Sequence, residues 1–511
     1  MICVPITETI PEAFLNAITD AAQTADAIEL RMDYLDAAGC RTVLEKLPQL
    51  SEGKTLVLTF RPREQGGQRD LSLPDRQEFW RGLSTEIVSA IRFADFEFDL
   101  VESFAGGDSP IPWDKIICSW HNFEETPHDL IQRYDRMAAT PAAVVKIATL
   151  AHRIGDSLRI FELIEHAQGK KPVIALAMSL PGIATRILAV SRGGLLTFGS
   201  LRRGAESAAG QPTAADLRNL YQVKNLTRSS EIYGVIGNPV GHSRSPLMHN
   251  AALAALNRNG VYLPLEVDNV ETFARDMLHP KTKTLDWNLR GLSVTIPHKL
   301  AIMPFLNWID PTAQAIGAVN TVVVRGEELH GYNTDVIGAM KPLEALLDLR
   351  GVRAAVLGAG GSARAICHGL RERGAAVTIY SRDLRKAGPL AEEFNTKTAL
   401  LDQFAGHADI VINCTPIGMH GHSEGQSLLR AESLRNVKLV YDLIYTPEET
   451  ALLREAKTAG CQTLGGLAML VGQAGEQFRL WTGLEAPVEL MESALNLPAR
   501  TSPPAPVPAT D

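Results

Sequence analysis

Two lysines stand where a lysine can do chemistry. Lys146 interrupts an apolar run, Ala-Ala-Val-Val-Lys146-Ile-Ala-Thr-Leu. A buried amine resists protonation, so its pKa falls and it becomes a nucleophile toward carbonyl carbon. His121, in Ser-Trp-His121-Asn-Phe, follows a neighbouring apolar run and can shuttle a proton. Lys299 ends Gly291-Leu-Ser293-Val-Thr295-Ile-Pro297-His-Lys299, and Asp335 ends Gly331-Tyr-Asn333-Thr-Asp335. An amine beside a carboxylate can handle the proton of a ketone/alcohol pair while hydride moves. A carrier for the hydride has its own signal, Gly358-Ala359-Gly360-Gly361-Ser362-Ala363, after the apolar run 354–357. Its first glycine suits a tight turn and its second a close approach to pyrophosphate. The third small residue lets helix pack on strand. Each signal also has a plain structural reading: an ion pair, a core histidine, a glycine turn made for packing. Their company in one chain is what points to chemistry.

Elements must position these groups. In residues 1–222 eight short apolar runs recur: 2–6, 27–32, 56–60, 93–100, 116–120, 143–148, 173–178 and 195–201. Helix-like segments such as 75–91, 129–139 and 157–167 fill most intervals. That is the arithmetic of a (β/α)8 barrel, with a doubly wound open sheet as the competing arrangement. In a barrel the chemistry sits at the C-terminal strand ends. Polar residues collect there: Glu29 and Arg31, Arg61, Asp95 and Glu97, His121, Lys146, Arg186, then Ser207 and Gln211. Three arginines on that face suit an anionic carboxylate.

A polar linker, 223–230, leads to a second α/β unit over 231–335. Its Ser243 and Ser245 can cap a helix or bind a carboxylate. A Rossmann unit is expected over 336–465. After its second strand, 376–380, come Ser381-Arg382-Asp383-Leu-Arg385-Lys386. Basic groups there favour a 2′-phosphate and hence NADP, while Asp383 keeps NAD open. Residues 466–497 read as helices returning to the preceding unit. Residues 498–511, with five prolines, read as a disordered tail.

Composition limits the classes. A chain of 511 residues is too long for one core. A net charge of −8 argues against nucleic acid, and no apolar run reaches the ~18 residues of a membrane span. Six scattered cysteines without a CxxC pair suit buried thiols in a reducing compartment, with no metal site. A cytoplasmic monomer acting on small molecules is expected.

Residues 1–222 resemble type I 3-dehydroquinate dehydratases. The resemblance rests on Glu29-Leu-Arg31-Met-Asp33, Thr59-Phe-Arg61-Pro with Gly66-Gly67, His121-Asn-Phe, Val-Val-Lys146-Ile-Ala, Gly182-Ile-Ala-Thr-Arg186 and Ser207-Ala-Ala-Gly-Gln211. It implies an imine between Lys146 and the C3 ketone of 3-dehydroquinate, with His121 as base and acid in the loss of the C2 proton and of water. Arg186 would hold the carboxylate; Glu29, Arg31, Arg61, Ser207 and Gln211 would bind the rest. The family commonly has an acidic residue before the Gly-Gly pair. Here Gln65 stands there and Glu64 precedes it, so either the loop shifts to bring Glu64 in or an amide suffices.

Residues 231–497 resemble shikimate dehydrogenases, on Gly241-His-Ser243-Arg-Ser245-Pro, Val-Thr295-Ile-Pro-His-Lys299, Gly317-Ala-Val-Asn320-Thr, Asn333-Thr-Asp335, the glycine turn and Asn413-Cys-Thr415-Pro-Ile-Gly418-Met. The resemblance implies Lys299 and Asp335 as the catalytic pair. Ser243, Ser245, Thr295, Asn320, Tyr445 and Gln473 would bind substrate. The glycine turn, Ser381, Arg382, Lys386, Thr415, Leu443, Gly466 and Met469 would hold NADP. Ser293 and Ser381 stand where asparagine is common, and Lys386 stands in for arginine. A fusion in this order would dehydrate 3-dehydroquinate and reduce the product to shikimate with NADPH. The alternatives are a quinate dehydrogenase fusion, against which Ser243 and Ser245 speak, and a non-catalytic ligand sensor, against which both lysines, His121 and Asp335 speak.

Overall fold

The computed structural model describes residues 1–50, 53–421 and 423–495. The expected tail, 498–511, lies outside the described residues. Eight parallel strands form the first sheet: β1 (Ile2–Ile6), β2 (Ala27–Arg31), β3 (Thr55–Thr59), β4 (Phe93–Glu97), β5 (Ile116–Asn122), β6 (Val144–Leu150), β7 (Val173–Met178) and β8 (Thr197–Phe198). Their order runs β7 back to β1 and then β8, a nearly closed barrel. The seam between β7 and β8 carries one backbone hydrogen bond, Leu195 N–H to Val173 O at 2.9 Å.

Two runs are shorter than their apolarity predicts. β4 stops at Glu97 because helix Phe98–Phe104 starts there and buries Leu100, Val101 and Phe104. β8 shrinks to two residues because Gly199 passes so close to the Ala214 backbone that a Cβ would sit 2.8 Å from it. The expected helix over 75–91 is two, Leu73–Arg81 and Thr85–Ala90, the second with Ser84 as N-cap.

The second sheet is mixed. It contains β9 (Glu231–Gly237), β10 (Gly260–Glu266), β11 (Leu289–Val294), β12 (Trp308–Ile309), β13 (Thr321–Arg325) and β14 (Glu328–Tyr332), in the order β10-β9-β11-β13-β14-β12. The third is all parallel: β15 (Arg353–Leu357), β16 (Ala376–Ser381), β17 (Lys397–Leu400), β18 (Ile410–Asn413), β19 (Leu439–Asp442) and β20 (Gln462–Leu464). Its order, β17-β16-β15-β18-β19-β20, reads 3-2-1-4-5-6, a doubly wound dinucleotide fold with its switch point beside β15.

Two helices join the second and third sheets. Helix Asp335–Glu344 leads out of the mixed sheet and Leu467–Thr482 leads back. They lie against each other so closely that a Cβ on Gly338 would stand 2.7 Å from the Gln473 nitrogen. The barrel also touches the mixed-sheet unit. Arg228 pairs with Glu165 at 2.8 Å, and a Cβ on Gly241 would meet the Leu180 side chain at 2.9 Å. No described helix is long and apolar enough to cross a membrane.

Candidate active sites

The barrel mouth is a buried charge cluster. Lys146 Nζ stands 2.7 Å from Asp95 Oδ2 and 3.4 Å from Glu29 Oε1, with the ring of Phe198 4.5 Å away. Arg61 reaches the same Asp95 oxygen at 2.7 Å and Glu97 at 3.3 Å. Arg76, from helix Leu73–Arg81, closes the cluster on Glu97 and Asp99. Burial alone would raise the carboxyl groups of Glu29 and Asp95, but the cations around them outweigh it and hold both below the usual range. The lysine is thus buried, as its sequence context implies, but its neighbours are charged rather than apolar.

His121 is buried at the end of β5, its Nδ1 without a partner. Burial, then Arg61 and Lys146, hold its imidazole well below the usual value, so it stays neutral. Gln65 resolves the loop question. Its Oε1 accepts from the His121 backbone N–H at 2.9 Å, while Glu64 is exposed. Gly66, at φ +86°, makes the turn that aims it, and a Cβ there would strike the ring of Phe123.

Arg186 is 1 % exposed, and its Nε and Nη2 find no acceptor. Burial lowers it to about 10. An unpaired buried guanidinium is costly, so this position calls for an anion. Ser207 and Gln211 are joined, the serine donating to Gln211 Oε1 at 3.1 Å, which leaves the buried Gln211 Nε2 free to donate. Arg31 commits Nε and Nη2 to Asp33 and to Gly66 O, so its remaining nitrogen is Nη1.

In the second site Lys299 Nζ pairs with Asp335 Oδ2. The other carboxylate oxygen accepts from Asn320 Nδ2 at 2.8 Å, and Asn320 also reaches Gln473 at 3.3 Å. Asp335 N–H donates to Asn333 Oδ1, which explains why the Asn-Thr-Asp run starts its helix there. Thr295 lies against Gly237, where a Cβ would stand 2.4 Å from Thr295 Cγ2. Ser245 is buried and its N–H donates to Ser243 Oγ at 3.3 Å. Tyr445 packs in the core cluster that contains Met248 and Tyr262.

The glycine turn meets this pair. A Cβ on Gly361 would lie 3.4 Å from Lys299 Cδ, so the glycine turn of the nucleotide unit runs beside the Lys299 side chain. Gly358 adopts φ +105° and passes Thr415 closely. Gly360 sits at the N-cap of helix Gly361–Glu372, and no side chain caps it. A helix leaves its first N–H groups, here at Gly361, Ser362 and Ala363, without intrahelical partners, and such an uncapped start suits an anion such as a pyrophosphate. Gly466 passes so close to Leu443 O that only a glycine fits, and Met469 is buried one turn on.

The basic run after β16 sorts itself. Asp383 caps helix Leu384–Glu393 and binds Arg385 through both oxygens, at 3.0 and 3.2 Å. Ser381 Oγ is spent on the Asp383 main chain. Arg382 and Lys386 stay exposed, so the acid that kept NAD open is already neutralised and two cations remain for a 2′-phosphate.

Three supports were not foreseen. Arg76 comes from a helix with no local signal of its role. Asp442, buried at the end of β19, accepts from Asn413 Nδ2 at 3.0 Å and Thr450 Oγ1 at 2.6 Å, which steadies the strand end carrying Thr415. Gln477, one turn past Gln473 on the returning helix, bonds Thr321 Oγ1 at 3.0 Å; the helical spacing of the two glutamines was its signal.

Both halves of the chain are similar to known proteins. The family model for type I 3-dehydroquinase matches residues 2–228. That for the shikimate dehydrogenase substrate binding domain matches 235–322, and that for the shikimate 5′-dehydrogenase C-terminal domain 466–495. A model described as NADP oxidoreductase, coenzyme F420-dependent, matches 353–435. The bifunctional 3-dehydroquinate dehydratase/shikimate dehydrogenase, chloroplastic, of Arabidopsis thaliana is 35 % identical over 520 residues, covering 96 % of this chain and 83 % of its own. The NADP(+) shikimate dehydrogenase of Methanothermobacter thermautotrophicus is 38 % identical, covering 53 % of this chain and 97 % of its own. A crystal structure of a shikimate dehydrogenase with NADP+ superposes with a TM-score of 0.50 at 38 % identity, covering 53 % of this chain and 96 % of that one. With both lysine sites in place and a relative matched along nearly its whole length, the chain belongs to the bifunctional 3-dehydroquinate dehydratase/shikimate dehydrogenase family, with NADP as its cofactor.

Proposed function

We propose that Lys146 forms an imine with the ketone of 3-dehydroquinate and that Lys299 is the proton donor in the reduction that follows. The observation that carries this reading is the pairing of each lysine with buried carboxylates: Lys146 with Asp95 and Glu29, Lys299 with Asp335. In the barrel, Lys146 Nζ adds to the C3 carbonyl and water leaves. The iminium draws electrons from the neighbouring C–H, His121 takes the C2 proton, and the leaving hydroxyl departs as water with a proton from His121. Hydrolysis of the imine frees Lys146. Arg186 holds the carboxylate, and Glu29, Arg31, Arg61, Ser207 and Gln211 orient the ring.

In the second site NADPH supplies the hydride. Lys299 gives its proton to the carbonyl oxygen, and Asp335 keeps the amine oriented. Ser243, Ser245, Thr295, Asn320, Tyr445 and Gln473 hold the substrate. We read the functional units as 1–222, 231–335, 336–465 and 466–497, joined by the linker 223–230, in a cytoplasmic monomer whose thiols are unbridged. The whole reading is tested by supplying 3-dehydroquinate and NADPH together. Shikimate should accumulate, and dehydration without NADPH oxidation would sink the second half.

Two further outcomes follow. Because His121 is held neutral, kcat/KM for dehydration, which reports the free enzyme, should show no acid limb near the ordinary imidazole value of about 6.5. The same group affects stability. Its folded pKa is depressed, so its contribution is present above ~6.5 and is lost as pH falls, when the unfolded chain takes up the proton. A limb near that pH in the rate profile would contradict the neutral base. Arg382→Ala should raise the KM for NADPH about tenfold, one lost charge-assisted hydrogen bond, and leave that for NADH unchanged. Equal effects on both cofactors would remove Arg382 from the 2′-phosphate.

A further inference from the structure

Beneath the Lys299–Asp335 pair lies a line of buried polar groups that share one polarity. Tyr262 Oη donates to Ser293 Oγ at 2.6 Å, and Ser293 donates to Gln477 Oε1 at 2.8 Å. Gln477 Nε2 donates to Thr321 Oγ1 at 3.0 Å, and Thr321 to Asn320 Oδ1 at 2.8 Å. Asn320 Nδ2 then donates to Asp335 Oδ1 at 2.8 Å. All six side chains are buried.

We propose that Tyr262, Ser293, Gln477 and Thr321 are positioning residues of the dehydrogenase site, a hydrogen-bond chain that aims Asn320 at Asp335 and holds that carboxylate oriented toward Lys299. The inference rests on Lys299 and Asp335 being the acid/base pair.

Each hydroxyl and amide accepts from the residue before it and donates to the next, so the dipoles add along the line instead of cancelling. Its far end is fixed independently. Asn250 clamps the Tyr262 backbone from both sides, at 2.7 and 2.9 Å, and the ring of His249 stacks on that of Tyr262 at 4.3 Å. Burial raises the phenol of Tyr262, which keeps its proton available for donation. The line also crosses the fold. Tyr262 and Ser293 belong to the mixed sheet, whereas Gln477 belongs to the helix that returns from the nucleotide unit. Asp335 Oδ1 thus takes the donor while Oδ2 faces Lys299.

The test uses the full chain with Tyr262→Phe, Ser293→Ala and Ser293→Thr, reading kcat for reduction of 3-dehydroshikimate and the KM for NADPH, with dehydration as the control for folding. Tyr262→Phe should lower kcat about threefold and Ser293→Ala about tenfold, the scale of one and two lost hydrogen bonds. In both, kcat should fall while the KM for NADPH should not change. Ser293→Thr keeps the hydroxyl and should restore kcat to within about threefold of the parent. Should Ser293→Ala fail to fold, the kcat and KM of Tyr262→Phe decide alone. An unchanged kcat, a matching rise in the KM for NADPH, or a Thr variant as slow as the Ala variant, overturns the proposal. If Lys299→Ala still reduces 3-dehydroshikimate, the acid/base reading itself has failed.

Discussion

Lys146→Ala is expected to lose dehydration of 3-dehydroquinate by about four orders of magnitude or more, the scale seen when a covalent catalyst is deleted. No other amine in the described residues stands between Asp95 and Glu29, so nothing else in the barrel can take up the ketone there. Borohydride added to the parent chain with 3-dehydroquinate should reduce the imine to a stable amine on Lys146. Peptide mapping that finds the added mass elsewhere, or finds none, would mean that the barrel is misread. The variant should still oxidise NADPH with 3-dehydroshikimate. Its cluster keeps Arg61 on Asp95 and Glu97, so the carboxylates are not left wholly without a cation.

Lys299→Ala should be the mirror image. Reduction of 3-dehydroshikimate should fall by about three orders of magnitude, within the range for removal of a general acid, while dehydration continues at the parental rate. NADPH binding should survive, because Lys299 lies against the glycine turn through its methylenes, not its amine. A KM effect with kcat intact would recast Lys299 as a binding group. Loss of both activities would mean that the two sites do not work independently.

The candidate chemical residues are legible from sequence because their signals are local. A lysine inside an apolar strand, a glycine turn between strand and helix, and a basic run at a strand end are each read within ten residues. What the sequence leaves open is set by residues far apart. Glu29, Arg61, Asp95 and Lys146 can each be placed at a strand end, but which pairs with which depends on the register of five strands around the barrel. Arg76 reaches Glu97 from a separate helix. The choice between Gln65 and Glu64 depends on one short turn and on Gly66 at positive φ, which decides which of two adjacent side chains faces His121. β8 was the weakest part of the strand count. Its seven-residue run, 195–201, predicts a full strand, but the close passage of Gly199 past Ala214 leaves room for two.

The paired helices Asp335–Glu344 and Leu467–Thr482 have a mechanical consequence. The chain passes between the substrate-holding sheet and the nucleotide sheet twice, and both passages lie side by side with Gly338 and Gly472 in contact. Two adjacent tethers allow rotation about the line that joins them and resist sliding or twisting. The cleft therefore has one soft degree of freedom, a hinge. Asp335 opens one helix of that hinge and Gln473 lies on the other, so both sit on the axis and are displaced least. The glycine turn lies off that axis, next to the Lys299 side chain. Rotation about the axis would therefore move the turn relative to Lys299 far more than it would move Asp335 or Gln473.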